Sequence, residues 1–244
     1  MKVEAKNAEL SSLDTAILKY TPYLKELQSN LFHVFIVFLT GGVIGFIYYQ
    51  KILSAVMHLF KMEGINLVLT SPYQFIDLAV NTGLLLGLIL ALPLLGYHLL
   101  AFVRPALAPK EFSLLVRLYP TAIALFIIGF CFGAWIIQFI ITLYSQTTLE
   151  FSVSNLWDIS HFFSQILMTG ISLAIIFELP IVLTALLKLK LIKLSLLQKS
   201  RKFIYTAILI FVAFLPPSDI ISLALLSVPP LLLFEITLLF NQKG

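Results

Sequence analysis

Six long apolar stretches, separated by short charged gaps, dominate the hydrophobic pattern of this 244-residue chain. A hydrocarbon core about 30 Å thick is crossed by about 20 apolar helical residues, so each stretch predicts a membrane-spanning helix. The six predicted helices are 31–50, 78–103, 118–141, 159–187, 203–215 and 220–240. The pattern therefore predicts an all-α, polytopic membrane protein with a tail at each end, 1–30 and 241–244.

The fifth and sixth stretches are short and form a hairpin around Pro216-Pro217. The 13 residues at 203–215 would extend only about 20 Å as a helix. The hairpin is therefore either a re-entrant loop or a pair of short spanning helices that thin the bilayer. We favour the short pair because cations precede and follow the hairpin, which places both of its ends on one side of the membrane.

Lysine and arginine are distributed unevenly over the gaps. Of the 16 lysines and arginines, 14 fall in the two tails and in the gaps 104–117 and 188–202, whereas only Lys51 and Lys61 fall in the opposite gaps. The Lys/Arg-rich side of a membrane protein is the cytoplasmic side, so we predict that both termini are cytoplasmic. The net charge of +4 thus reflects topology and does not indicate nucleic-acid binding.

Composition agrees with this class of protein. Apolar residues make up 60% of the chain and the mean hydropathy is +1.02, which excludes an ordinary soluble domain. Three pairs of glycines at spacing four predict close packing between helices of this chain, with dimerisation of two chains as the alternative. The pairs are Gly41/Gly45, Gly83/Gly87 and Gly129/Gly133.

The segment before the first stretch has the period of an amphipathic helix. Apolar residues recur every three or four positions from Leu10 to Leu27. Thr21-Pro22 resembles an N-cap followed by proline at the first helical position, which predicts a helix that continues into the first span. The segment is either an interfacial anchor or a means of displaying Glu26 at the cytoplasmic rim.

The sequence carries no signature of an enzyme. It has no HExxH motif, no G-x-S-x-G motif and no phosphate-binding glycine loop. We therefore predict a protein that is not an enzyme and that binds neither a metal nor a cofactor.

Glu178 is the most unusual charged residue, because it lies inside the fourth apolar stretch. A carboxylate at such depth costs about 2.5–3.5 kcal/mol on insertion scales and usually faces protein or a watery cavity. The functional interpretation is a membrane-embedded polar site. The structural interpretation is a protonated side chain that hydrogen-bonds to a neighbouring helix, for which the backbone groups freed by Pro180 are candidate partners.

Four other acidic residues are candidates by position. Glu26 and Glu111 are predicted on the cytoplasmic side, where each alone is equally well explained as a solvated surface charge. Asp219 marks the outer boundary, and Glu235 near the inner end of the last stretch is placed to snorkel or to pair with a lysine.

Eight short segments of the chain resemble, in order and spacing, those of the TatC family, a subunit of the twin-arginine protein translocase. The segments are Tyr23-Leu24-Lys25-Glu26-Leu27, Ser71-Pro72, Leu92-Pro93, Phe102-Val103-Arg104-Pro105-Ala106-Leu107 with Glu111, Phe177-Glu178-Leu179-Pro180, Pro216-Pro217-Ser218-Asp219, Val228-Pro229 and Phe234-Glu235.

The resemblance implies a signal-peptide receptor and core assembly platform that exports folded proteins with the protonmotive force and without a cofactor. It implies binding of twin-arginine signal peptides, of TatA-like or TatB-like single-span subunits, of other TatC copies and of membrane lipid, but not of nucleic acid. The implied location is a bacterial or archaeal cytoplasmic membrane, with an organellar membrane as the alternative.

The resemblance also assigns roles to residues. The implied signal-peptide-binding residues are Leu24, Glu26, Phe102, Pro105 and Glu111. The implied membrane-embedded polar site consists of Phe177 and Glu178, and the implied partner-helix or structural residues are Pro93, Pro180, Asp219 and Glu235.

The chain departs from the family pattern at several positions. Tyr23 and Gln28 stand where the family has His and Arg, His98-Leu99 replaces Gln-Trp, and Ser218 resembles an insertion. Leu215 and Leu223 replace Thr and Gln. These last two changes remove polar groups from the site that holds the partner helix, which favours a TatA-like partner without a dedicated TatB-like one.

Two rival functions follow from the same residues. An ion-coupled small-solute transporter would use Glu178 as its proton or cation site and would not need Glu26 or Glu111. A purely structural membrane scaffold would tolerate replacement of all three acids.

Overall fold

The computed structural model describes residues 2–59, 66–68, 70–150, 156–217 and 219–242, without the side chains of residues 2–24, 59, 66, 67, 106, 146–150 and 156. Nine helices lie in this part of the chain. They are α1 (Lys2–Ile47), α2 (Tyr49–Leu59), α3 (Gln74–Val103), α4 (Pro109–Glu150), α5 (Ile159–Phe177), α6 (Leu179–Lys188), α7 (Leu194–Lys199), α8 (Arg201–Ala213) and α9 (Ile220–Gln242). A 3-10 turn at Arg104–Ala106 joins α3 to α4.

Five helical segments of the described chain are long and apolar enough to cross a membrane. They are Lys25–Ile47, Gln74–Val103, Pro109–Ser145, Ile159–Lys188 and Ile220–Gln242. The sixth helix of the bundle, α8, has only 13 residues, whereas α9 has 23. The predicted all-α membrane fold is confirmed. Of the two helices that were predicted to be short, only α8 is short.

The first helix differs from the prediction at both of its ends. It runs without a break from Lys2 to Ile47, so no helix begins at Pro22. Tyr48 separates it from α2, so the first span ends before Gln50. The predicted amphipathic stripe lies largely outside the described side chains, as does Leu24; Lys61 and Ser218 lie outside the described residues.

Two short strands were not predicted. β1 (Asn66–Val68) pairs in parallel with β2 (Leu156–Asp158), with Val68 opposite Asp158. Three-residue strands are too short to show a period of two, so the sequence pattern gives no signal for them. The strands join two of the three gaps that we predict on the outer side of the membrane, 51–77 and 142–158.

Glycine pairs set the packing of α1 on α3 and of α4 on α5. Gly41 lies against Gly87 and Gly45 against Gly83, so α1 and α3 are antiparallel. A Cβ atom added to Gly133 would lie 2.7 Å from the Cα atom of Gly170, so α4 and α5 also approach at backbone distance. The predicted role of these glycines in packing within the chain is confirmed.

The connection between α8 and α9 explains why α8 is short. The Thr169 hydroxyl of α5 donates a hydrogen bond to the Pro216 carbonyl, 2.7 Å away. Thr169 lies ten residues, or about 15 Å, from the outer end of α5. Asp219 hydrogen-bonds to Tyr144, near the outer end of α4. The α8 helix therefore ends inside the bundle, and the Pro-Pro segment covers the remaining distance.

Buried apolar side chains form two clusters. One cluster fills the space between α3, α4 and α5, and the other lies between α4, α5, α7, α8 and α9. Many large apolar side chains on the outside of the bundle remain exposed, as lipid-facing positions require; Phe35, Trp135 and Phe214 are examples.

Candidate functional site

Helix packing places Glu26 level with the end of α3. Because α1 and α3 are antiparallel and Gly41 lies against Gly87, the residue 15 positions before Gly41 is level with the residue 15 positions after Gly87. These two residues are Glu26 and Phe102. The Glu26 side chain is exposed, and in the described part of the chain it has no hydrogen bond or ion pair.

Glu111 occupies the first turn of α4. One of its carboxylate oxygens, Oε2, accepts a hydrogen bond of 2.9 Å from the Ala108 backbone N–H. This is the reciprocal half of a capping box, in which an acid at the third helical position satisfies the N–H of the N-cap residue. Glu111 therefore has a structural role that sequence reasoning missed, and it retains Oε1 for another partner.

The end of α3 and the turn that follows it contain Phe102 and Pro105, two further residues that the sequence singles out. Phe102 is half-buried and Pro105 is exposed. The Arg104 guanidinium lies over the Phe112 ring, 5.4 Å from its centroid, which fixes the turn by a cation–π contact. The structure thus gathers Glu26, Phe102, Pro105 and Glu111 at one end of the bundle, with no direct bond between the two acids among the described contacts.

Glu178 stands at a break in the helix that begins at Ile159. α5 ends at Phe177, and α6 begins at Leu179 with Pro180 in its first turn. The Glu178 backbone remains satisfied, because its N–H donates to Ile175 and its carbonyl accepts from two residues of α6. No hydrogen bond or ion pair to its carboxyl group is present in the described part of the chain, in contrast to the structural interpretation.

The Glu178 side chain lines a groove of about 280 Å³ between α3, α4 and the α5–α6 break. Most of the lining is apolar, and Leu99, Ile123 and Phe126 are typical. Tyr119 also faces the groove, and its hydroxyl donates a 2.7 Å hydrogen bond to the Pro93 carbonyl. Sequence reasoning missed Tyr119, because a tyrosine in an apolar stretch gives no signal of its partner.

Phe177, the other residue of the predicted polar site, has a packing role, and the predicted structural residues Pro93 and Pro180 lie within helices. Phe177 is buried, and a Cβ atom added to Gly129 would lie 2.8 Å from the Phe177 side chain. Pro93 lies inside α3, where it supplies the carbonyl that Tyr119 binds. Pro180 starts α6. Of these three residues only Pro93 lines the groove, and none of them supplies a polar side chain to it.

Asp219 stands directly before α9, and Glu235 lies in the second half of this helix. Glu235 accepts a hydrogen bond from Tyr205 and forms an ion pair of 3.4 Å with Arg201. Its partner is therefore an arginine of α8 and not a lysine. Asp219 caps the start of α9, where it accepts a 2.9 Å hydrogen bond from the Ser222 N–H.

A second polar cluster lies at the outer end, around Asp158. The Thr70 hydroxyl, the Gln74 amide and the His161 backbone N–H all donate hydrogen bonds to this carboxylate. The hydrogen bond from Thr70, followed by that from His161, holds the pKa of Asp158 below its usual range. Among the described residues, no group of three His, Cys, Asp or Glu side chains is arranged to hold a metal ion.

Comparison with known proteins gives a consistent match. Residues 22–229 match the family model described as Sec-independent protein translocase protein (TatC). The chain is 28% identical to the TatC protein of Listeria innocua serovar 6a over 92% of this chain and 91% of that protein. It is 27% identical to TatCy of Bacillus subtilis strain 168 over 91% of this chain and 88% of that protein.

A solved structure supports the same conclusion. The chain is similar to a crystal structure of the twin arginine translocase receptor TatC, with a TM-score of 0.75 and 27% sequence identity. The similarity covers 91% of this chain and 98% of the solved one.

Proposed function

The chain belongs to the TatC family of Sec-independent protein translocase proteins, and from this premise we propose that it is the signal-peptide receptor and core assembly platform of its translocase. Family membership makes it a multi-pass membrane component of a protein translocase, and not an enzyme. The proposal adds that it recognises twin-arginine signal peptides through Glu26 and Glu111 and uses the protonmotive force to export folded proteins.

The position of the two acids supports receptor function most strongly. Glu26 is level with Phe102, and Glu111 lies in the first helical turn after the Arg104–Ala106 connection. A guanidinium group pairs with a carboxylate through two parallel hydrogen bonds, so two acids at one rim suit two adjacent arginines. Lysine lacks this fork and would bind less well.

The Glu178 groove supports a site for the apolar part of the signal peptide. Tyr119, which lines the groove, is eight residues from Glu111 on α4, or about 12 Å along the helix. Hydrogen bonds to charged groups contribute about 1.5–3 kcal/mol each, whereas micromolar affinity requires about 8 kcal/mol. The difference is supplied by apolar segments of the signal peptide that lie in this groove and on the spans next to it.

The proposal extends to partners and location. The protein works with other Tat subunits; we propose that a TatA-like single-span helix is one of them, that further TatC copies assemble with it, and that the membrane is a bacterial or archaeal cytoplasmic membrane. Leu215 is buried before α9 and Leu223 is half-buried in its first turn. Neither position therefore offers a polar side chain to a partner helix, which suits a simple TatA-like partner.

Site-specific cross-linking tests the receptor proposal. A photoreactive residue at position 25 lies beside Glu26, and one at position 110 lies beside Glu111. Either replacement leaves both carboxylates in place. In membranes that contain the full chain, we expect both positions to capture a twin-arginine signal peptide and to capture its twin-lysine counterpart far less. A photoreactive residue at position 51, at the other end of the first span, is the matched control and should capture neither peptide.

The same membranes distinguish the rival functions. Equal capture of the twin-arginine and twin-lysine peptides would remove the receptor proposal. Solute uptake into vesicles that Glu178→Gln abolishes, with no effect of Glu26→Gln or Glu111→Gln, would instead support the ion-coupled transporter.

A further inference from the structure

The segment 188–202, which we name the basic loop, joins α6 to α8 and carries six cations. They are Lys188, Lys190, Lys193, Lys199, Arg201 and Lys202, and no acidic residue occurs between Glu178 and Asp219. Arg201 is paired with Glu235. The five lysines are exposed, and none of them has an ion-pair partner in the described part of the chain. The loop therefore presents five uncompensated positive charges.

Exposed apolar side chains alternate with these lysines. Leu191 is 67% exposed, Leu196 is 55% exposed and Phe203 is 80% exposed. Leu191 follows Lys190, and Phe203 follows Lys202. Cations beside exposed apolar groups are the pattern of a surface that lies at the boundary between lipid tails and headgroups.

The end of α6 projects Lys190 and Leu191 at a backbone cost. The Lys190 N–H donates to the Leu187 carbonyl and the Leu191 N–H to the Leu186 carbonyl, which together form a Schellman motif. The left-handed residue of this motif is usually glycine, but here it is Lys190, with φ of 58°. The orientation of a membrane protein depends on how many cations its loops carry and not on the backbone conformation of any one of them. A lysine at a position that costs backbone energy therefore suggests a binding role.

We propose that the basic loop is a binding site for the headgroups of anionic phospholipids. Clusters of four to eight lysines and arginines next to a membrane helix attract anionic lipid. A soluble phosphate would use the lysines but leave Leu191, Leu196 and Phe203 in water, whereas a lipid engages both kinds of side chain. The loop is continuous with α6 and α8, which places it at the membrane surface rather than in reach of a distant acidic protein segment.

Lipid binding to the purified full chain in detergent tests the proposal. Native mass spectrometry measures the dissociation constants of phosphatidylglycerol and phosphatidylcholine, with glycerol phosphate added as the soluble competitor. Each lysine near an anionic surface contributes about fivefold in affinity. The triple variant Lys190→Gln, Lys193→Gln, Lys199→Gln should therefore weaken phosphatidylglycerol binding by about 100-fold and leave phosphatidylcholine binding unchanged.

Matched variants show whether a loss of lipid binding comes from the basic loop itself, from the lower net charge or from misfolding. Lys25→Gln, Lys110→Gln, Arg117→Gln removes the same charge from the same predicted side and should weaken phosphatidylglycerol binding by less than about fivefold. Replacement of the same three loop lysines by arginine should preserve binding. Equal losses in both neutralised variants, equal affinity for the two lipids, or displacement of lipid by glycerol phosphate or by a glutamate-rich peptide would each overturn the proposal.

Discussion

Replacement of Gly83 by alanine is the sharpest test of the packing that positions Glu26. A Cβ atom at Gly83 would lie 2.6 Å from the Gly42 carbonyl oxygen, whereas ordinary contact begins near 3.4 Å. The obstructing atom belongs to the backbone of α1, so α1 must move away from α3 by up to about 0.8 Å. Such overpacking costs about 1–3 kcal/mol, partly offset by the higher helix propensity of alanine, about 1 kcal/mol.

Thermal unfolding in detergent, followed by tryptophan fluorescence, measures the effect. For a chain of this size, 1 kcal/mol shifts Tm by about 2–4 °C, so we expect Gly83→Ala to lower Tm by up to about 8 °C. Gly42→Ala is the matched control, because a Cβ atom there meets nothing closer than 3.8 Å. It should leave Tm unchanged or raise it. Equal Tm changes in the two variants would refute the reasoning.

Three further predictions concern the polar groups. Glu111→Ala should lower the free energy of unfolding by about 1 kcal/mol because the Ala108 N–H loses its partner, whereas Glu111→Gln, which can still accept that hydrogen bond, should lower it less. Glu178→Leu should raise Tm while reducing export, since it removes a carboxyl group without a described partner from an apolar groove. The hydrogen bonds that lower the pKa of Asp158 stabilise the fold at pH values above the pKa of an aspartate in the unfolded chain, near 3.9. The free energy of unfolding should therefore fall as the pH drops through and below this value, and Asp158→Asn should remove that pH dependence. Thermal unfolding checks all three expectations, over a pH series for Asp158, and an export assay is added for Glu178. Unchanged behaviour of a variant would contradict the role inferred for the replaced residue.

Hydrophobic pattern was sufficient to locate the membrane helices, because a spanning helix requires a long apolar run whatever its neighbours. The glycine pairs were predictable for a similar reason, since close packing in lipid selects small residues at spacing four. Pattern was not sufficient to place helix ends. The continuous α1 and the break at Glu178 depend on local backbone geometry and on neighbouring helices, which the apolar period does not encode.

The candidate site was predictable as a set of residues but not as an arrangement. The sequence singled out Glu26, Glu111 and Glu178 because charges are conspicuous in an apolar chain. The cap that Glu111 makes is local, and Pro109 at the first and Glu111 at the third helical position are its sequence signal. Nothing in the sequence indicated that Tyr119 shares the groove of Glu178. That arrangement depends on packing between α3, α4 and the α5–α6 break, which becomes visible only when the helices are assembled.

The affinity of the full chain for a twin-arginine signal peptide tests the central proposal most directly. We would measure it for the unaltered protein and for the double variant Glu26→Gln, Glu111→Gln, which preserves side-chain size and the α4 cap. The account predicts that the variant binds the twin-arginine peptide about tenfold or more weakly, and that binding of the twin-lysine peptide is weak and changes much less. Undiminished binding of the twin-arginine peptide to the double variant would contradict it.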